Sequence, residues 1–245
     1  MTLRRILSLS ALILFASLNA AAHAQIAPVP AGTNVLDVAS THQPFEYGPV
    51  FQGGNGVTDM RNGYHFLWAG AQIGRVLTNN VGHGFFRGNF EYGGQLFPYF
   101  QAFTPKFQRV SCTEVTPVIT CSQPYTVGGT YSGVSLTPII LRWNLARHGR
   151  WTYWGQAAGG LLWTNHKFPA YGNTSVSIPE NGPNGETSVW NFTPQGGIGL
   201  HYFTKPRRSI DFSANATHIS SASLGDRNPG VNASVQFTVG YSWWK

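Results

Sequence analysis

The C-terminal end of the chain alternates in polarity residue by residue. Val231, Ala233, Val235, Phe237, Val239, Tyr241 and Trp243 fall on one side, and Asn232, Ser234, Gln236, Thr238, Gly240 and Ser242 on the other. A period of two belongs to an extended chain, whose successive side chains point to opposite faces; a helix would scatter these residues around its axis. The segment predicts a strand with one apolar face and one polar face.

The same pattern recurs upstream. Trp190, Phe192, Ile198, Leu200 and Tyr202 oppose Asn191, Thr193, Gln195, Gly197 and His201, with Pro194 predicting a local break in the ladder. Ile210, Phe212, Ala214 and Ala216 alternate with Asp211, Ser213, Asn215 and Thr217. Phe86, Phe90, Tyr92 and Leu96 face away from Arg87, Asn89 and Glu91, and Trp151, Tyr153, Ala157, Leu161 and Trp163 share another face. Less regular strands are expected at Phe45–Gln52, Phe66–Leu77 and Val134–Trp143, with long loops around Gln101–Thr130 and Lys167–Glu186. The total is about eight strands, an even number as in bacterial single-chain barrels.

Composition decides what surrounds them. Only 10% of the 245 residues are charged and 14% are aromatic, where an ordinary soluble protein carries roughly 25% charged residues. A disordered chain would be charge-rich and aromatic-poor. A lipocalin-like barrel or a β-sandwich also alternates, but its outward face would be charged. The faces here are apolar, so the fold expected is all-β: an eight-stranded antiparallel transmembrane β-barrel, in which every backbone polar group pairs between strands and no edge meets lipid. Trp151, Trp163, Trp190, Trp243 and Trp244 fall near strand ends and are expected to form interfacial girdles.

The N-terminus supports export. Arg4 and Arg5 precede an apolar run from Ile6 to Leu18, and Ala22-His23-Ala24 supplies small residues for cleavage. Residues 1–24 are therefore expected to be a signal peptide, 25–44 an N-terminal lead-in, and 45–245 the barrel. No later apolar run is long enough for a transmembrane helix. Cys112 and Cys121 bracket a polar loop and fit either a local disulfide, as an oxidising compartment favours, or two free thiols. The scattered histidines show no ligand spacing, so no metal is expected. Arg147, Arg150, Lys205, Arg207 and Arg208 cluster at strand ends, where either attraction to lipid phosphates or simple solvation accounts for them. A nucleic-acid partner is not expected for an exported barrel.

One feature of the apolar stripe invites chemistry. By parity His218 and Ser220 continue the face of Ile210, Phe212, Ala214 and Ala216, the face expected to meet lipid. Residues two apart on a strand lie ~6.5–7 Å apart at the backbone, close enough for an imidazole to lean toward a hydroxyl and activate it as a nucleophile. Polar groups on a lipid-facing stripe cost free energy, although at headgroup level they are ordinary.

From His218 to Trp244 the chain resembles the lipid A 3-O-deacylase (PagL-type) family of outer-membrane enzymes. The resemblance is carried by His218-Ile219-Ser220, by the Asn228-Pro229-Gly230 turn, and by their placement across the last two strands. It implies an eight-stranded barrel in the bacterial outer membrane and a lipid-facing Ser-His-Glu site. That site would release the acyl chain ester-linked at position 3 of lipid A in lipopolysaccharide, among the lipids of the outer membrane, without metal or organic cofactor. Carried over by position, it implies Ser220 as nucleophile, His218 as general base and Asn228 as an oxyanion donor. The family glutamate falls at Asn232, whose amide would orient the imidazole without a carboxylate's charge, and Ser221 replaces an asparagine. Unbroken alternation puts Asn232 on the inner face, away from His218, unless a bulge intervenes. Asp226 is the carboxylate of the intervening loop. The alternatives are a non-catalytic outer-membrane barrel related to these enzymes, structural or lipid-binding, and an esterase acting on another lipid such as a phospholipid.

Overall fold

The computed structural model describes residues 35–38, 43–58, 61–115, 118–146, 149–168, 176–177, 188–222, 224 and 232–245. The expected signal peptide 1–24, Arg147, Asp226 and Asn228 lie outside these residues. Eleven strands follow in chain order: β1 (Phe45–Gly56), β2 (His65–Val76), β3 (Gly88–Val115), β4 (Val118–Cys121), β5 (Tyr125–Leu145), β6 (Trp151–Thr164), β7 (Val176–Ser177), β8 (Trp190–Phe192), β9 (Gln195–Lys205), β10 (Arg208–His218) and β11 (Ala233–Trp244).

Antiparallel pairing runs β1–β2–β3–β5–β6–β9–β10–β11, and β11 returns to β1, closing a ring of eight strands. No open edge remains in that ring. The break expected at Pro194 separates β8 from β9, and both pair with β6. One end of the barrel holds Phe45, Lys245 and the turns following β2, β5 and β9; the other holds the β1–β2 connection, the β3–β5 hairpin and the long connections after β6 and β10. Chain ends and short turns mark the periplasmic side of such a barrel and long connections the extracellular side.

The alternation predicted for β9, β10 and β11 is realised. Ile198, Phe212, Phe237 and Val239 are exposed on the outer wall, while His201, Asp211, Asn215, Ser234 and Gln236 are buried within. Aromatic girdles ring both ends. Tyr47 stacks with Trp243 (5.8 Å) and Trp151 packs at a tilt against Tyr202 (4.5 Å) at the periplasmic end, and Trp163 pairs with Trp190 toward the other. Trp244 departs from the expected girdle. It follows Trp243, so the strand turns it inward, where its indole donates to the Ser209 hydroxyl at 2.9 Å.

The expected loop over Gln101–Thr130 is instead a long hairpin, in which β3 and β5 run on beyond the ring and are capped by β4. Irregularities between Gly93 and Gln95, Phe97 and Phe100, and Thr104 and Phe107 interrupt its register. Each bulge flips the parity that sequence reading relies on. Cys112 and Cys121 are opposite in backbone register in this hairpin and Cys121 is disulfide-bonded, so of the two expected states the disulfide is the one found.

The lumen is packed in three layers. Val35 and Leu36 of the lead-in seal the periplasmic mouth against Val76, Phe203 and Trp244. Above them Arg142 bridges Glu46 (2.7 Å) and Glu91 (2.9 Å) and lies over the Trp154 ring, while Asp211 accepts from Gln72 and Ser209 and contacts His201. Toward the extracellular end the filling becomes apolar, with Phe66, Trp68, Phe97, Phe100, Phe168 and Ile219 in mutual contact. An apolar interior beside an apolar exterior gives β2 and β3 no polar face there, which is why their alternation is faint in the sequence.

Candidate active site

Ile219 is the anchor from which the site is built. Its side chain, 2% exposed, enters the extracellular aromatic layer of the lumen. With Ile219 turned inward, the extended backbone puts His218 and Ser220 on the opposite face, where His218 is half-buried and Ser220 is covered to 7% exposure. Register agrees: Ser220 forms an antiparallel bridge with Phe192, whose ring is exposed on the outer wall. The backbone is pinned on both sides. His218 N–H donates to Pro194 C=O (2.9 Å), Ser220 N–H to Phe192 C=O (3.0 Å), and Phe192 N–H to Ser220 C=O (2.6 Å). On the other flank Ile219 N–H donates to Asn232 C=O (3.3 Å).

The imidazole of His218 is half-buried, and its Nδ1 lies 3.0 Å from the main-chain carbonyl oxygen of Asn232. A carbonyl can only accept, so the contact places the proton on Nδ1 and leaves Nε2 with a free lone pair. The side chain of Asn232 takes no part in this. It is buried on the lumen side, 2% exposed, and among the described residues neither its Oδ1 nor its Nδ2 is hydrogen-bonded. Parity therefore holds through this strand without a bulge, and what meets the imidazole at position 232 is the main chain rather than the amide.

The Ser220 hydroxyl accepts the N–H of Ala222 at 3.1 Å, and among the described residues no hydrogen bond joins it to His218. Ala222 has a φ of 46°, a left-handed conformation costing an alanine about 1–2 kcal/mol. It opens a turn in which Leu224 N–H donates to Ser221 C=O (2.9 Å). The strain sits two residues after the nucleophile candidate, where the chain leaves the sheet. In the connection between β1 and β2, Arg61 is buried over the Tyr64 ring at 5.2 Å, and burial lowers its pKa to about 10.

The wall below Ser220 is made of small residues. Register places Ala157 beside Gly196 and Gly196 beside Ala216. A Cβ added at Gly159 would meet nothing within 4 Å, and at Gly196 only the Gln156 carbonyl oxygen at 3.8 Å. The result is a shallow depression bordered by Leu161 and Phe192 above and Ile198 below, all exposed. Neither Ile219 as anchor nor the Asn232 carbonyl as partner was named from the sequence, because a core isoleucine and a main-chain group have no residue signature. The basic residues Arg150, Lys205, Arg207 and Arg208 lie at the opposite, periplasmic end, so they do not approach a lipid bound beside Ser220.

An apolar outer wall and two aromatic girdles together define an outer-membrane barrel. A sequence model of the family described as lipid A 3-O-deacylase (PagL) matches residues 100–242. The chain belongs to that family, and is a lipid A deacylase-type protein of the bacterial outer membrane. Among solved structures it is similar to the outer membrane enzyme PagL (14% identity over 80% of this chain and 98% of that one, TM-score 0.39). It is also similar to the outer membrane protein OprG from Pseudomonas aeruginosa (8% identity, 83% and 96% covered, TM-score 0.42). A third likeness is to Ail, the attachment invasion locus protein of Yersinia pestis (13% identity, 83% and 99% covered, TM-score 0.40). No curated protein matches the sequence.

Proposed function

We propose that the chain is a serine esterase that removes the 3-O-linked acyl chain of lipid A. The observation that carries this reading is the contact of His218 Nδ1 with the Asn232 carbonyl, which leaves the opposite ring nitrogen free on the face that Ser220 shares. In the reaction Nε2 of His218 takes the Ser220 proton as Oγ attacks the ester carbonyl. The tetrahedral oxyanion collapses, the sugar 3-oxygen leaves with the proton from His218, and an acyl-Ser220 remains. Water, deprotonated by the same imidazole, then releases the fatty acid and restores the hydroxyl.

Asn232 contributes through its main chain: its carbonyl fixes the imidazole and its tautomer. That role needs no carboxylate, although a neutral carbonyl stabilises the imidazolium less than a carboxylate does. Asn228 is proposed as an oxyanion donor from its place in the family motif, hydrogen bonds to developing charge being a large catalytic contribution. The substrate partner is lipid A within lipopolysaccharide. Its acyl chain lies along Ala157, Gly196 and Ala216, so the ester is reached without extracting the lipid into water. The site adjoins the Trp163–Trp190 girdle, the level at which a lipid passes from headgroup to acyl chain.

The Ser220 hydroxyl is held by Ala222 N–H rather than by His218, and this favours a second reading, a lipid-binding barrel without turnover. The two are separated by incubating the folded barrel with lipopolysaccharide and measuring fatty acid by mass spectrometry. The esterase reading expects release by wild type and none by Ser220→Ala; equal amounts from both reject it.

A further inference from the structure

The two ends of the barrel differ in charge. Arg87, Arg150, Lys205, Arg207, Arg208 and Lys245 are all exposed at the periplasmic end. Among the described residues none of the six forms an ion pair; Lys245 lies over the Tyr47 ring at 5.5 Å. The carboxylates described in this half of the barrel, those of Glu46, Glu91 and Asp211, are buried in the lumen. Beside the cations the turn after β2 exposes Phe85 (74%) and Phe86 (73%), packed edge to face at 5.4 Å, with Leu77 and Val81 also exposed. A water-facing turn would not display four large apolar side chains together, whereas aromatic rings among cations are what a membrane interface selects.

We infer that this rim is a binding surface for anionic diacylphospholipids of the periplasmic leaflet. Phe85 and Phe86 enter the acyl boundary, and the cations take the headgroup phosphates. Arg208 stands directly opposite Trp243 in the ladder, so charge and girdle meet at one level. A soluble polyanion would use the cations and leave the phenylalanines idle; a lipid uses both. The inference is independent of the deacylase reading, because it concerns the other end of the barrel and its test does not involve activity.

The test reconstitutes the folded barrel in phosphatidylcholine bilayers and measures tryptophan quenching by brominated phosphatidylglycerol against brominated phosphatidylcholine. Wild type is expected to prefer phosphatidylglycerol, and Arg207→Glu with Arg208→Glu to lower that preference by at least about fivefold per cation at low salt. Lys106→Glu, at the opposite end, is expected to leave the preference unchanged, and 1 M salt to reduce it. A Phe85→Trp reporter is expected to be quenched by either brominated lipid. Equal affinity for the two lipids, an equal loss in Lys106→Glu, or an unquenched Trp at position 85 would each overturn the inference.

Discussion

The imidazole of His218 is held by the backbone of Asn232, not by its side chain: Nδ1 sits 3.0 Å from the carbonyl oxygen, while the amide of the same residue is buried on the lumen side. The residue matched to the family glutamate thus orients the histidine without offering an acid.

Replacing the Asn232 side chain should therefore do little. Asn232→Ala is expected to keep kcat within about tenfold of wild type, a change of no more than ~1.4 kcal/mol in the barrier. Loss of a side-chain orienting group in a triad lowers kcat about 10⁴-fold. A drop of that size in Asn232→Ala, with the barrel still folded, would show that the amide and not the carbonyl holds the ring.

Ile219 ties the site to the lumen. Ile219→Ala removes a buried side chain from the aromatic layer and is expected to destabilise the barrel by about 2–5 kcal/mol. Because the two outward residues are positioned through it, kcat should fall in the fraction that remains folded. Thermal unfolding followed by gel mobility measures the first effect and fatty-acid release the second. Unchanged kcat with reduced stability would leave Ile219 a packing residue alone.

The depression beneath Ser220 should set how well long chains bind. Gly196→Leu fills it with a branched side chain, and kcat/KM toward lipopolysaccharide is expected to fall at least about tenfold, or ~1.4 kcal/mol. Hydrolysis of a short water-soluble ester should be nearly unaffected. Parallel losses on both substrates would mean that the change disturbs the catalytic strand instead.

The lumen cluster predicts stability without catalysis. Arg142→Met would leave Glu46 and Glu91 buried without their cation, a defect that costs about 3–5 kcal/mol. A lower unfolding midpoint with unchanged kcat in the folded fraction is expected. Loss of kcat at unchanged stability would instead link the cluster to the site.

How much of this could be read from the sequence depended on where parity survives. In β9, β10 and β11 one face is apolar and the other polar, and no bulge intervenes, so Phe212, Phe237 and Val239 could be placed outside and Asp211 and Gln236 inside before any coordinates. That same parity assigns His218 and Ser220 to the outer face, where His218 is half-buried and Ser220 is 7% exposed. It fails in β3 and β5, where three irregularities shift the register and the lumen is itself aromatic, so the long hairpin carries no sustained period of two. Trp244 alternates with Trp243, so only one of the two adjacent indoles can belong to the girdle. At the site, residue types pointed to the hydroxyl and the imidazole but not to the carbonyl that orients the ring, since any residue at position 232 supplies one. The end of the barrel on which the basic residues fall required the strand order, which composition does not contain.

The most direct test of the account is fatty-acid release from purified lipopolysaccharide by the folded barrel, followed by mass spectrometry, for wild type, His218→Gln and Ser220→Ala. The account predicts one fatty acid released per lipid A by wild type, with His218→Gln and Ser220→Ala each slower by at least about 10³-fold. Release by all three proteins at the same rate would contradict it.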